Sequence, residues 1–390
     1  MTKLYLLEPD GAGDDWAPFT GVRPIAELRA GVWRIRERWE AALGTDTAAV
    51  IGNHVAGFHD TDAAPVEPCA PVSGPAVVAA AWFAPTGARI QLSSDTRRLV
   101  HRGASVGWVV PPEDRWDGAH DQGPPVEVDG LLLRGPHDLV TALELLLPGD
   151  CADFRTAPSP TVPAGCLVLG DPADVLCRSG LVEPGVVFDV RNGPAVIEDG
   201  VEVRHGSRLE GPVYLGAGTR VLGGDIRGTV VGPNCRVHGE IAVTVFLGYS
   251  NKSHDGFLGH SVVGSWVNLG AGTTTSNLKN TYGPVRLDIG DHRIDTGRLN
   301  LGTIFGDHAK TAIGTMLATG TIVSVGANLF GPAPPPKFVA PFAWGNDGRE
   351  RLTEEGFLRI AARVMERRGI EMTPPRRRSL HATYERATRG

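Results

Sequence analysis

Six-residue spacing of aliphatic side chains restricts this chain more than any other feature. The step runs through Ile197, Val203, Leu209, Leu215 and Val221, and returns at Val231 and Val237 and at Val263 and Leu269. It ends at Ile313, Thr319 and Val325, each followed by glycine. A helix repeats apolar residues every three and four positions and a half-exposed strand every second one, so neither fits. A hexapeptide solenoid does: each repeat gives a short strand and a turn, and three repeats close a triangular coil of roughly 18 residues around one continuous core. The 51 glycines suit its corners, and an aromatic content of 6% suits a narrow prism. A globular β-sandwich with glycine-rich turns is the competing reading. The period predicts a parallel β-helix over residues 165–332. It lapses at 273–300, a polar stretch with Lys279, Arg286, Arg293 and Arg298 that reads as a loop thrown from one corner.

Before the repeats, residues 1–160 read as a small α/β domain. Residues 3–7, 48–51, 76–83 and 131–133 are strand candidates, alternating with helices. One helix is predicted to start at Pro24, with Ile25, Leu28, Val32, Ile35 and Trp39 as its apolar stripe, and another to span 136–147. A proline-rich connection (Pro158, Pro160, Pro163) leads into the solenoid. Residues 333–390 read as a proline- and aromatic-rich cap over the open end, followed by helices. The first of these is capped by Thr353 and packs through Phe357, Ile360, Ala361 and Val364. The basic segment near Arg376 reads as a solvated tail or as a holder of phosphate.

A net charge of -6 argues against nucleic-acid binding, which needs a basic face. Five cysteines without a C-x-x-C pair argue against a secreted disulfide framework. With no signal-like start and no membrane-length apolar run, the expectation is a cytoplasmic protein without a membrane partner.

Chemistry concentrates between Asn251 and Asn280, in NKSHDGFLGHSVVGSWVNLGAGTTTSNLKN, which holds Lys252, His254, His260, Asn268, Asn277 and Lys279. N-acylation of an amine needs a base for the ammonium proton, donors for the developing oxyanion and polar groups that fix the acceptor. Histidine suits the first role, since its ordinary pKa lies near neutrality.

The order H-x-x-F-L-G, N-L-G-A-G-T and a further Asn, with His254 fourteen residues before Asn268 and Asn277 nine after it, resembles a known bacterial family. That family is the bifunctional N-acetylglucosamine-1-phosphate uridyltransferase/glucosamine-1-phosphate acetyltransferase. Together with RPIAELRAGVWRIRERWE, DHAKTAIGTMLATGTIVSVGANLFG and FVAPFAWG, the match is similar to a divergent sugar nucleotidyltransferase branch of it. The resemblance implies a left-handed parallel β-helix behind a reduced nucleotidyltransferase-like α/β domain. It also implies a homotrimer, acetyl-CoA as co-substrate, and a sugar phosphate or nucleotide amino sugar as acceptor. His254 would be the general base, and Asn268, Asn277, Lys252, Lys279 and Phe257 would bind substrate. Backbone amides near Gly270–Gly272 would serve the oxyanion, with Ala271 and Thr315 toward acetyl-CoA. Two positions depart from the family: Phe257 replaces its tyrosine, and Ala242 stands where it has a phosphate-binding lysine, for which Lys252, Lys279 or Arg286 are the substitutes in reach.

Nucleotidyltransferases of this type carry a G-x-G-T-R loop, then P-L-T and P-K. Here EPDGAGDDWAPFTGVRPIAEL keeps Pro18, Phe19, Thr20, Arg23 and Pro24, but has acidic residues in the loop and Ile25 at the lysine. Thr20, Arg23 and Arg29 are the surviving phosphate candidates. Asp14 and Asp15 read as Mg²⁺ ligands or as a solvated loop, and the metal is left undefined. Gly170–Pro172 reads as a corner turn. The competing functions are a sugar-1-phosphate nucleotidyltransferase with the solenoid as scaffold, a zinc hydratase using His238, His254 and His260, and a purely structural protein.

Overall fold

In the computed structural model, which describes residues 2–10, 13–87, 89–156 and 162–389, the chain forms two compact units. One comprises residues 1–134 and 373–390, the other residues 135–372. The expected boundary near 160 therefore falls earlier. The helix Asp138–Ala152 packs on solenoid strands Val213–Leu215 and Val245–Phe246, and the C-terminal helix Pro374–Thr388 joins the N-terminal unit. Pro158 and Pro160 lie outside the described residues. Among the described residues no helix is long and apolar enough to cross a membrane.

The N-terminal unit is built on a seven-stranded mixed sheet. Within it Lys3–Leu7 pairs in parallel with Thr47–Ile51 on one side and with the central strand Ala76–Ala80 on the other. The five apolar residues expected on one helix from Pro24 are all buried, by another route. Ile25–Glu27 is a short 3-10 turn, and Arg29–Ala30 and Trp33–Arg34 form a hairpin around Gly31 at φ +71. The α-helix spans only Ile35–Leu43. A left-handed glycine breaks a helix that the apolar spacing alone would continue. In the C-terminal helix, Arg376 is buried against Thr61 at 2.6 Å and Arg386 donates to the carbonyl of Gly21 at 2.9 Å, so the basic tail is a packed element.

The second unit is the parallel solenoid. Three faces of short strands stack in register: six strands from Leu167–Leu169 to Phe257–Gly259, nine from Val175–Cys177 to Phe338–Val339, and a third run from Gly180–Val182 to Ala343–Trp344. Ile197, Val203, Leu209, Leu215, Val221, Val231, Val237, Val263 and Leu269 point inward, as the period predicts. The last coils use a different frame. Leu317, Val323 and Leu329 fill the core, while Ile313 is 82% exposed at a corner. The proline- and aromatic-rich segment also differs from expectation: Phe338–Val339 and Ala343–Trp344 continue two faces by one rung. Antiparallel Glu350–Arg351 then closes the edge. The following helix, Glu354–Glu366, has Thr353 as its cap at 3.2 Å and buries Phe357, Leu358, Ala361 and Met365, a face rotated from the expected one.

The second face is buried on both sides. Its outward Val196, Tyr214, Val230 and Val245 lie on the side that Asp138–Ala152 covers, and Phe154 packs on Tyr214 at 5.6 Å. The loop begins after Thr274–Thr275, which still pairs with Met316–Leu317, and folds into a hairpin of Arg286–Ile289 and His292–Asp295. Val285 and Leu287 are fully buried beside Gly320, so the excursion lies back on the prism. Arg298 fixes it by donating to Thr141 at 2.6 Å and Glu144 at 2.9 Å.

Candidate functional site

The residues clustered in sequence divide between two corners of the prism. His254 is exposed where the chain turns from Asn251–Lys252 on the third face to Phe257–Gly259 on the first. The next two coils place Ala271 and Ile313–Thr315 at the same corner. Gly272 donates to the carbonyl of Asp255 at 3.0 Å and Gly314 to that of Ala271 at 2.7 Å, which stacks the three turns. These bonds consume the amide of Gly272, and Gly270 donates to Thr311 at 3.1 Å. Among the described residues the Ala271 amide makes no such bond, which leaves it as the donor of the Gly270–Gly272 segment.

Gly256 shows how tightly the corner is built. Its φ is +124, and a Cβ there would come within 2.2 Å of the Thr273 carbonyl, so the turn beside His254 requires glycine. On the outer third face Asn251 donates to Asn268 at 2.9 Å. Asn268 is exposed there, beside the His254 corner.

His260 and Asn277 occupy the next corner, on successive coils. The Asn277 amide nitrogen meets His260 Nδ1 at 2.8 Å; with the amide donating, the neutral imidazole carries its proton on Nε2. Burial lowers the His260 pKa, Glu144 opposes this, and Arg298 and Arg227 add to it, so His260 is held neutral. Between the corners the outer surface is formed by Phe257 and Gly259. The Phe257 ring lies over Gly259, where a Cβ would meet it at 2.3 Å. The His260–Asn277 bond was missed in the sequence although seventeen residues is close to the roughly 18-residue coil of the period, because the lapse of the period at 273 hid that Asn277 still lies on the next coil.

The cations expected to hold phosphate are engaged elsewhere. Lys279 donates to the Pro284 carbonyl, and Arg286 pairs with Asp295 at 2.7 Å. Lys252 is 1% exposed inside the prism, not at its surface. Burial brings its pKa down to about 8. Between about pH 8 and the ordinary lysine value of about 10.4 the unfolded chain binds the extra proton, so stability rises with pH across that window. Lys252→Met is expected to reduce this rise to the share left by Lys310, whose pKa burial also brings down to about 8. Denaturation midpoints at pH 7.5 and 9.5 measure it; an equal rise in the variant excludes Lys252 as its source.

Thr315 is buried and donates to the Ala312 carbonyl at 2.8 Å. It lines a cleft of about 290 Å³ with Ile313, Met316, Phe330 and Asn346. Ile313 and Met316 are 82% and 76% exposed. Asn346 donates to the Gly331 and Ala333 carbonyls, which fixes the far wall. Sequence reasoning missed Ile313 as a surface residue by assigning it to the core frame.

In the N-terminal unit, Thr20 donates to the Gly13 carbonyl at 2.6 Å, Arg23 pairs with Asp60 at 2.8 Å, and Arg29 donates to the Val32 carbonyl. Both arginines are buried with internal partners, so neither is presented as a phosphate contact. The Asp14 side chain lies outside the described residues, and Asp15 is exposed. A cavity of about 360 Å³ opens beyond the carboxyl ends of Lys3–Leu7 and Thr47–Ile51, lined by Glu8, Asp10, Asn53, His54 and Cys69. Glu8 is buried and accepts the amides of Ile25 at 3.0 Å and Ala26 at 3.1 Å. Glu8→Ala leaves both without their acceptor and is expected to destabilise this unit by about 2–3 kcal/mol. Urea denaturation checks this, and a change under 0.5 kcal/mol (roughly the surface-substitution range) contradicts it.

Fold and site together describe a nucleotidyltransferase-like domain followed by a parallel β-solenoid with a polar corner site. Comparison with known proteins agrees. Residues 5–155 match the family model described as sugar nucleotidyl transferase. The chain is 31% identical over 91 residues to the bifunctional sugar-1-phosphate nucleotidylyltransferase/acetyltransferase of Sulfurisphaera tokodaii, 23% of each chain. It is 33% identical over 89 residues to the bifunctional protein GlmU of Methanocaldococcus jannaschii, covering 23% of this chain and 21% of that one. With the GlmU of a Jannaschia species it shares 27% over 155 residues, covering 38% and 31%. The matched stretches thus span less than a third of each of these relatives.

Proposed function

We propose that the solenoid is an acetyl-CoA-dependent N-acetyltransferase acting on an amino-sugar phosphate or a nucleotide amino sugar. The observation that carries this reading is the stacking of the His254, Ala271 and Ile313–Thr315 turns on one corner, with an exposed imidazole below and a partly apolar cleft above. In the reaction His254 takes the proton of the acceptor ammonium, and the free amine attacks the thioester carbonyl. The Ala271 amide donates to the oxyanion; collapse breaks the C–S bond, the CoA sulfur takes the surplus proton of the attacking nitrogen and leaves as the thiol, and the N-acetyl product remains while His254 returns its proton to solvent. Asn268 and Asn277 orient the sugar, the latter held by His260. Ile313, Thr315 and Met316 border the pantetheine arm. The name of the Sulfurisphaera tokodaii relative supports acetyl transfer, in a protein whose nucleotidyl transfer uses a sugar 1-phosphate. A cytoplasmic homotrimer is part of the same proposal.

Blocking the cleft tests the assignment. Thr315→Trp is expected to weaken CoA binding by on the order of 10²-fold in calorimetry, by filling the cleft where uniform binding is made. Unchanged affinity moves CoA elsewhere and removes this assignment.

A second reading, sugar-1-phosphate nucleotidyl transfer in the N-terminal unit with Mg²⁺, is favoured by the family match over residues 5–155 and by the cavity at the strand ends. Pyrophosphate release from a nucleoside triphosphate and a sugar 1-phosphate tests it independently of thiol release.

A further inference from the structure

The proposed chemistry leaves one charged group of the corner unused, and its position is anomalous. Strand registers align Val203 with Val221, Val221 with Val237 and Val237 with Lys252, so the lysine occupies an inward place in an aliphatic column. A lysine there loses its hydration, and an aliphatic side chain would fill the column without that cost. The ammonium is not left bare. Nζ donates to the carbonyl of His238 at 3.1 Å and to that of His254 at 2.6 Å. These two residues belong to successive turns of the same corner. Gly239, at φ +90, keeps the space open, since a Cβ there would stand 3.2 Å from Nζ.

We infer that Lys252 is a positioning residue: from inside the prism it ties the His238 and His254 turns together and fixes the backbone that carries the exposed imidazole. The inference rests on the reading of His254 as base. His254 sits exposed in a turn of four residues, Ser253–Gly256, between two short strands. The tether supplies the rigidity that a proton transfer needs, because a displacement of about 1 Å can cost on the order of 10²-fold in rate.

The test compares wild type with Lys252→Met, which removes the donor at similar length, and Lys252→Gln, which keeps one donor group. In Lys252→Met, kcat for thiol release is expected to fall about 10- to 100-fold with KM changed less than about threefold. The pH dependence of the residual rate is expected to keep its acid limb, since His254 remains the base, and Lys252→Gln is expected to fall between. Amide exchange at His238 and Gly272, which donate to the carbonyls of Lys252 and Asp255 at 2.8 and 3.0 Å, is expected to accelerate about tenfold or more, while distant coils stay protected. Unchanged kcat and unchanged exchange overturn the proposal, as does loss of the acid limb, which would make Lys252 itself the base. If wild type releases no thiol, the acetyltransferase reading fails on its own, and the exchange measurement alone decides whether Lys252 tethers the turn. If Lys252→Met does not fold, Lys252→Gln is read by the same criteria.

Discussion

Replacing His254 with alanine is expected to lower acetyl transfer by about 10²-fold or more, while the protein keeps its oligomeric state and thermal midpoint. The size follows from the loss of a general base, and the unchanged stability follows from the exposure of His254 at a corner. His260→Ala is expected to be milder and of a different kind. It leaves the Asn277 amide without its 2.8 Å partner, so the main effect falls on KM for the acceptor. Steady-state kinetics on the two variants separate these outcomes. Equal kcat in His254→Ala and wild type removes this histidine from proton transfer.

Phe246→Ala is expected to destabilise the solenoid unit by about 3–5 kcal/mol, the range for a large core residue truncated where neighbours cannot close in. Phe246 is fully buried inside the prism, in register between Val231 and Val263. Each strand is pinned above and below by parallel ladders, so the cavity persists. Because each coil touches only its neighbours, the loss is expected to appear first as accelerated amide exchange in the coils around 231–263. Ile313→Ala, at an exposed corner, is expected to change stability by under about 0.5 kcal/mol. Guanidinium denaturation with site-resolved exchange measures both, and similar losses in the two variants would contradict the assigned frame.

The hexapeptide period made the solenoid legible because core packing in a prism imposes one inward residue per face. Ile197 to Val221 obey it without interruption. The frame failed near Ile313 because a glycine follows both inward residues and corner residues, so Gly314 could not say which one Ile313 was. Apolar spacing located the buried residues after Pro24 but not their geometry, since a hairpin around Gly31 buries the same set that a helix would. His254, Asn268 and Asn277 were singled out as candidates by residue type and by separations that resemble those of a known family. Their split between two corners could not be read in this way, because it depends on which residues turn and which extend. Lys252 shows the same limit from the other side. Its charge pointed to the surface, while the strand register pointed inward, and the register decided.

Acetyl transfer by the solenoid is decided by incubating the wild-type protein with acetyl-CoA and glucosamine 1-phosphate, following free thiol and identifying the product by mass spectrometry. Thiol release matched one for one by an N-acetylated sugar phosphate is the expected result. No thiol release with this acceptor or with any amino-sugar phosphate or nucleotide amino sugar tried in its place would contradict it.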